Sequence, residues 1–423
     1  MADSNKQDGV TDQSVENNRP VNRRHVLKST ALLAGTAGLS GCAGLLDDDD
    51  DDETITFGMP VPTSGPPAVY GDGTVEGAEL ALQEEFGGDV DGQSVDIIVR
   101  DTGGDPGTAV PVAEELISEE NADILLGGFT SASCLAIMEV VQREEVPYIP
   151  MATSVDISGA ECNRYTFHHS PNSRQNAASV LAAHEEGVFD TLHIHHADFG
   201  GEIDMADATE LTLTDTDAEV VGRTDFPPDA EDFSAGISAA RESGADAIFV
   251  ITHPGGVIAF LTQAIQAGLK DEMAFIFPML SADVGAAVDP EALEDTYGSN
   301  SFYWRQEGAE EFSEAFLEEY EYRPSWWHAG SYEGTSELFS AIQRANGSTD
   351  PDDIIDQLRG REFNYLGNPA QWRECDHLTL KDMLLLRGNG PDDRDEEADY
   401  FSVVTTRDAE VSTFPCEDKE CEM

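Results

Sequence analysis

From Thr54 onward the chain alternates short β-branched and apolar runs with longer stretches whose apolar positions recur every three to four residues. Thr54–Val61, Val95–Arg100, Ile124–Gly127 and Tyr148–Pro150 read as strands. Thr74–Phe86, Thr108–Glu119 and Cys134–Glu144 read as the helices between them, and Pro62–Gly73 as a Pro/Gly loop. A second round begins near Pro171. Its helices cover Ser173–His184, Glu202–Leu211, Phe233–Ser243 and Gly256–Ala267, and its strands Thr191–His195, Glu219–Asp225, Ala247–Ile251 and Ala274–Phe277. This alternation predicts an α/β protein whose parallel sheets are covered on both faces. The 370 residues from Thr54 to the end are too many for one core and suit two doubly wound, Rossmann-like lobes.

The residues before Thr54 follow other rules. Asn22-Arg23-Arg24 precedes a short apolar stretch that closes on Leu39-Ser40-Gly41-Cys42, the pattern of a twin-arginine export signal ending in a lipobox. Ser29–Leu39 is far shorter than the roughly 20 apolar residues a membrane span needs. The expected mature chain starts at Cys42, carries lipid there, and stands on the outer face of the cell membrane. The acidic run Asp47–Glu53 cannot bury itself and reads as an extended tether.

Charge changes the picture further. There are 84 acidic residues against 23 basic ones, a formal net charge of -61, and the acids are spread along the whole chain. Such self-repulsion destabilises a compact state in dilute salt, whereas molar salt shortens the screening length to about 3 Å, so the composition reads as that of a halophile. With no basic patch to neutralise phosphates, nucleic acid is excluded as a partner. Of six cysteines, Cys42 is assigned to lipid; Cys416–Cys421 and Cys162–Cys375 are the candidate disulfides and Cys134 the candidate free thiol.

Ligands of open α/β sheets sit where loops leave the carboxyl ends of strands. Three loops here carry suitable chemistry: Ser64–Gly71, Gly128–Ser133 and Met151–Ser154. The second brings hydroxyls and free N–H groups to a helix start, where an anion such as a carboxylate is favoured, although a serine there also serves as a simple N-cap. His193, His195 and His196 offer a metal reading. On a strand His193 and His195 share one face while His196 points away, so a packed strand end is the better account. No G-x-S-x-G, H-E-x-x-H or Walker A pattern occurs, which leaves Cys134 as the one nucleophile candidate for an enzyme. No cofactor is called for.

Taken together, Ser64-Gly65 through Tyr70-Gly71, Gly77-Ala78, Arg100-Asp101-Thr102 with Asp105-Pro106, Gly127-Gly128, Pro147–Pro150, Phe167 and Asp198-Phe199-Gly200 resemble the branched-chain amino acid and amide group of ABC-importer solute-binding proteins. The resemblance runs from Thr54 to about Arg387. It implies a type I periplasmic-binding fold with three hinge crossings: 54–169 in lobe 1, 170–298 in lobe 2, 299–386 back in lobe 1, and 387–423 returning to lobe 2. It also implies a small solute and ABC permease subunits as partners, with lipid on Cys42 for the membrane. Ser131 and Thr153 fall where that family holds the ligand's carboxylate. Tyr70 and Phe199 fall on its aromatic positions, and Ala132, Met151, Thr252 and Met279 on the surrounding wall. Phe199 lacks the usual hydroxyl. Met279 stands where amino-acid binders place an acid against the ligand's ammonium, and a buried ammonium without a partner costs several kcal/mol. A plain α-amino acid is therefore disfavoured unless Asp198 or Asp283 substitutes, and an amide, a keto acid or another apolar anion stays open. A sensor domain for a small solute is the alternative function.

Overall fold

The computed structural model describes residues 54–65 and 67–408, together with Thr413, Cys416, Cys421 and Met423. The signal, Cys42 and the acidic tether lie outside the described residues. In chain order, β1 (Ile55–Val61), β2 (Asp89–Val90), β3 (Gln93–Asp101), β4 (Ile124–Gly127) and β5 (Tyr148–Pro150) form a first sheet of order β2-β3-β1-β4-β5. Apart from the short β2 its neighbours pair in parallel. A second sheet begins with β6 (Thr191–Ala197), β7 (Glu219–Phe226), β8 (Ala247–Ile251), β9 (Ala274–Phe277) and β10 (Thr296–Asn300). A small antiparallel sheet, β11 (Glu362–Tyr365), β12 (Asn368–Trp372) and β13 (Thr379–Lys381), follows. β14 (Met383–Gly388) and β15 (Phe401–Arg407) then complete the second sheet in the order β15-β14-β10-β9-β8-β6-β7, antiparallel at that end. Mixed α/β architecture with helix-covered parallel sheets is thus what the alternation of patterns dictated.

The helices connecting these strands are α1 (Ala68–Phe86), α2 (Pro106–Ser118), α3 (Ser131–Glu144), α4 (Ser173–Glu185), α5 (Gly200–Leu213), α6 (Ser234–Ser243) and α7 (Pro254–Gln266). Two short helices follow, α8 (Ala282–Ala287) and α9 (Pro290–Leu293); then come α10 (Glu310–Tyr320), α11 (Trp326–Arg344) and α12 (Pro351–Leu358). The strands of both sheets read as near-continuous buried runs, for example Ile124–Gly127 and Ala247–Ile251, because helices cover both faces.

Two expectations are corrected. The Pro/Gly stretch expected to be loop through Gly73 is helical from Ala68, because Gly71, Gly73 and Gly77 serve close packing and not chain reversal. A Cβ on Gly71 would overlap the Pro62 carbonyl, one on Gly77 the His328 carbonyl, and one on Gly73 would come within 2.6 Å of the Trp327 indole nitrogen. β14 joins the second sheet from Met383, and its apolar run Met383–Leu386 is fully buried beside β10. The disulfides exchange partners: Cys162 joins Cys421 and Cys375 joins Cys416, with Cα separations of 5.6 and 6.1 Å. Cys421 lies beside Cys162 and Cys416 beside Cys375, so proximity in space overrides the short Cys416–Cys421 spacing. Cys134 is free and buried.

Candidate functional site

The first turn of α1, the segment after β4 and the start of α11 bring a group of aromatic rings together. Tyr70 stacks on Phe129 at 4.2 Å between ring centroids and meets the Trp327 ring edge-on at 4.9 Å; Phe129 stacks more loosely on Trp326 at 6.0 Å. Phe129 leads directly into α3. That helix is capped by Thr130, whose Oγ1 accepts from the Ser133 N–H at 3.2 Å and contacts the Ser133 hydroxyl at 2.8 Å. Capping by Ser131 or Ser133 was the alternative to a ligand-binding role for this helix start. Because Thr130 takes that role, the half-buried Ser131 hydroxyl has no hydrogen-bond partner among the described residues. Ala132 beside it is exposed.

Thr153 follows β5 and is half-buried. Its carbonyl accepts from the Ser173 N–H at 2.9 Å and the Ser173 hydroxyl at 3.3 Å, and that hydroxyl also lies 3.2 Å from the Gly201 carbonyl. One serine at the start of α4 therefore ties the Thr153 loop to the start of α5, where Phe199 stands 57% exposed. An aromatic ring left this open next to hydroxyl-bearing loops has apolar area to bury against a ligand.

Contact between the elements that follow β1 and β9 is direct. The Tyr70 phenol donates to Asp283 Oδ2 at 3.0 Å, and the Ser281 hydroxyl donates to Asp283 Oδ1. Burial, reinforced by the Asp283 carboxylate, pushes the Tyr70 pKa well up, so the phenol stays a donor. Met279, two residues before Ser281, is half-buried in the left-handed region at φ 53°, with its N–H donating to Ser299 Oγ at 3.2 Å.

Not every expected wall residue reaches the cleft. Met151 is fully buried, packed under Gly330 of α11 and touched by the Ser170 hydroxyl at 3.9 Å, so it belongs to the core. Thr252 is buried against the backbone of Gly256, and His253 caps α7 through Nδ1, accepting from the Gly256 N–H at 3.3 Å. Phe129, Trp326, Trp327 and the pairing of Asp283 with Tyr70 were not anticipated. The adjacent tryptophans in Pro324-Ser325-Trp326-Trp327 were the one sequence signal that could have flagged them.

The remaining chemical candidates are structural. His193 Nε2 and His195 Nδ1 both meet Thr224 Oγ1, at 2.9 and 2.8 Å, while Arg223 donates to His196 Nε2 at 3.0 Å. Burial pushes the Cys134 thiol up to about 12, which leaves it protonated and unreactive. Burial also pulls His195 and His168 down to about 4. Both stay neutral in the folded protein, whereas an unfolded imidazole takes up a proton below about pH 6.5. The unfolded state then binds more protons, so stability is expected to fall as pH drops from 6.5 toward 4, by about 1.4 kcal/mol per pH unit for each histidine. Melting curves at fixed salt check this; an acid limb left unchanged by His195→Asn would remove that residue from the account.

A family model described as periplasmic binding protein matches residues 54–395. The chain belongs to the periplasmic binding protein family. Leu/Ile/Val-binding protein homolog 7 of Brucella suis is 25% identical to it over 348 residues, covering 76% of this chain and 82% of the relative. Among solved structures, an amino acid ABC transporter substrate-binding protein from Pseudomonas fluorescens superposes with a TM-score of 0.81 at 21% identity, covering 88% of this chain and 99% of that one. A solute binding protein of an ABC transporter from Rhodopseudomonas palustris, in complex with 3,4-dihydroxy benzoic acid, superposes at 0.76 with 20% identity, covering 85% and 98%. The fold is therefore the type I periplasmic-binding fold, and this periplasmic binding protein is a solute binder and not an enzyme. Proteins of the family act outside the cytoplasm, and no helix among the described residues is long and apolar enough to cross a membrane.

Proposed function

We propose that this protein captures a small carboxylate or amide solute, of the branched-chain amino acid class, and delivers it to an ABC importer from the outer face of the membrane. The Tyr70–Asp283 hydrogen bond carries this reading, because it joins α1, which follows the first sheet's β1, to α8, which follows β9 of the second, and Tyr70 stacks on Phe129 just ahead of the α3 start that bears Ser131. Ser131 and Thr153 would hold the solute's carboxylate on the first sheet, and the loops bearing Phe199 and Met279 would close over it. Closure excludes water, strengthens those hydrogen bonds, and presents a changed surface to the permease. Export through the twin-arginine route, lipid on Cys42 and the acidic tether account for residues before Thr54. The net charge of -61 fits a protein working in molar salt.

Calorimetric titration tests the reading, using leucine, isoleucine, valine, their keto acids, short amides and aromatic carboxylates. Run in about 1 M salt, where the screening length is about 3 Å, one of these is expected to bind with micromolar affinity. Silence from the whole panel would refute the solute class. A protein equally folded and active at about 0.1 M, where that length is about 10 Å, would refute the halophile assignment.

A further inference from the structure

α11 ends on a sequence that solute binding does not use. Asn346-Gly347-Ser348 is the one Asn-x-Ser/Thr triplet in the whole chain, and it forms the turn between α11 and α12. Asn346 is exposed and lies in the left-handed region at φ 57°, followed by Gly347 at φ 81°. Its N–H donates to the Gln343 carbonyl at 3.0 Å, and the Gly347 N–H donates to the Ile342 carbonyl at 2.9 Å, so the turn closes the helix in a set geometry. We propose that Asn346 is the acceptor of an N-linked glycan, added once the chain has reached the outside of the cell.

An asparagine also ends a helix well with no further role. Three features go beyond that. First, the Asn346 side-chain amide has no hydrogen-bond partner among the described residues, so its Nδ2 is free at an exposed position. Second, the hydroxyl that an acceptor triplet requires stands two positions on, at Ser348. That hydroxyl donates to Asp353 Oδ2 at 2.6 Å and accepts from the Asp350 N–H at 3.2 Å; both bonds are at the exposed surface, where exchanging them for water or for an enzyme costs little. Third, the turn is remote from the candidate site. α11 has 19 residues, which puts about 28 Å between Asn346 and the tryptophans beside Tyr70. On its other side the Gly347 carbonyl accepts from Gln93 Nε2 at 2.8 Å, and the next residue, Ser94, shares a 2.8 Å hydrogen bond with Thr54, the first residue after the acidic run. A glycan there obstructs neither solute entry nor closure. Proteins of this family act outside the cytoplasm, where N-linked glycans are found on surface turns. In the transfer Nδ2 bonds to the anomeric carbon of a lipid-linked saccharide as that carbon's bond to the lipid phosphate breaks. The phosphate leaves with the bonding electrons and the amide gives up one proton, so no oxidant or reductant enters.

The test produces the full chain, with its signal, in a halophilic host whose own exported proteins carry N-linked glycans, and reads the peptide spanning Asn346 by mass spectrometry. That peptide should carry an added mass made of whole sugar residues, absent when the same chain is made in a host without N-glycosylation. Asn346→Gly, which keeps the left-handed turn, and Ser348→Ala should each abolish the sugar, whereas Ser348→Thr should retain it. Solute affinity of the Asn346→Gly protein should stay within about twofold of the parent's, because the turn and the site share no partners. An unmodified Asn346 peptide overturns the proposal, and so does one that bears only the deamidation to which Asn-Gly pairs are prone. Sugar that survives Asn346→Gly lies on another residue, and sugar on Asn346 that survives Ser348→Ala was not placed by this triplet; either result overturns the proposal as well.

Discussion

Gly71→Ala is expected to lower the unfolding free energy by about 3 kcal/mol or more, a loss of the size that overpacking against fixed backbone produces. Gly71 lies in the first turn of α1, and the atom an added methyl would meet is the Pro62 carbonyl oxygen of the segment leaving β1. A flexible side chain could swing aside; a backbone carbonyl between a strand and a helix cannot move without shifting both. The same helix presses Gly73 and Gly77 against Trp327 and His328 of α11, so a displaced α1 also disturbs the tryptophans beside Tyr70. Urea unfolding midpoints in molar salt measure the effect. Gly200→Ala is the control: it starts α5 with nothing within 4 Å of an added Cβ, and should change stability by less than about 0.5 kcal/mol. A Gly71→Ala protein as stable as that control would show that the strand-to-helix junction yields easily.

The second large effect is on binding. Ser131→Ala with Thr153→Ala should weaken the solute that binds in calorimetry by roughly a thousandfold, since a hydrogen bond to a charged group is worth about 1.5–3 kcal/mol and two are lost. Neither change should unfold the protein. The α3 cap is Thr130, and Thr153 binds Ser173 through its main-chain carbonyl, which alanine retains. Near-normal affinity in a stable double variant would exclude both hydroxyls from the site.

Most of this architecture was legible in one dimension, for a physical reason: strands buried on both faces and helices packed on one face leave different periodicities, and each is a local property. The loops bearing Ser131 and Thr153 could be singled out because loops after parallel strands have a predictable position in such a sheet, whereas the two residues themselves were picked out by resemblance to the family. Glycine was misread where its role was packing, at Gly71 and Gly73, since a small residue marks a turn and a close contact with the same letter. Met151 and Thr252 were placed in the cleft by resemblance; the structure packs Met151 into the core beneath Gly330 and buries Thr252 against Gly256.

By itself, then, the order of residues determined the α/β class, the strand-following loops proposed to carry the site, the acidic composition and the helix-start hydroxyls. All of these follow from local pattern or from composition. Only the tertiary structure decided that Cys421 meets Cys162, that Thr130 and not Ser131 caps α3, and that Asp283 faces Tyr70 over 213 positions of sequence. Those contacts depend on how two sheets and their connecting turns are placed in space, which no short stretch of residues encodes.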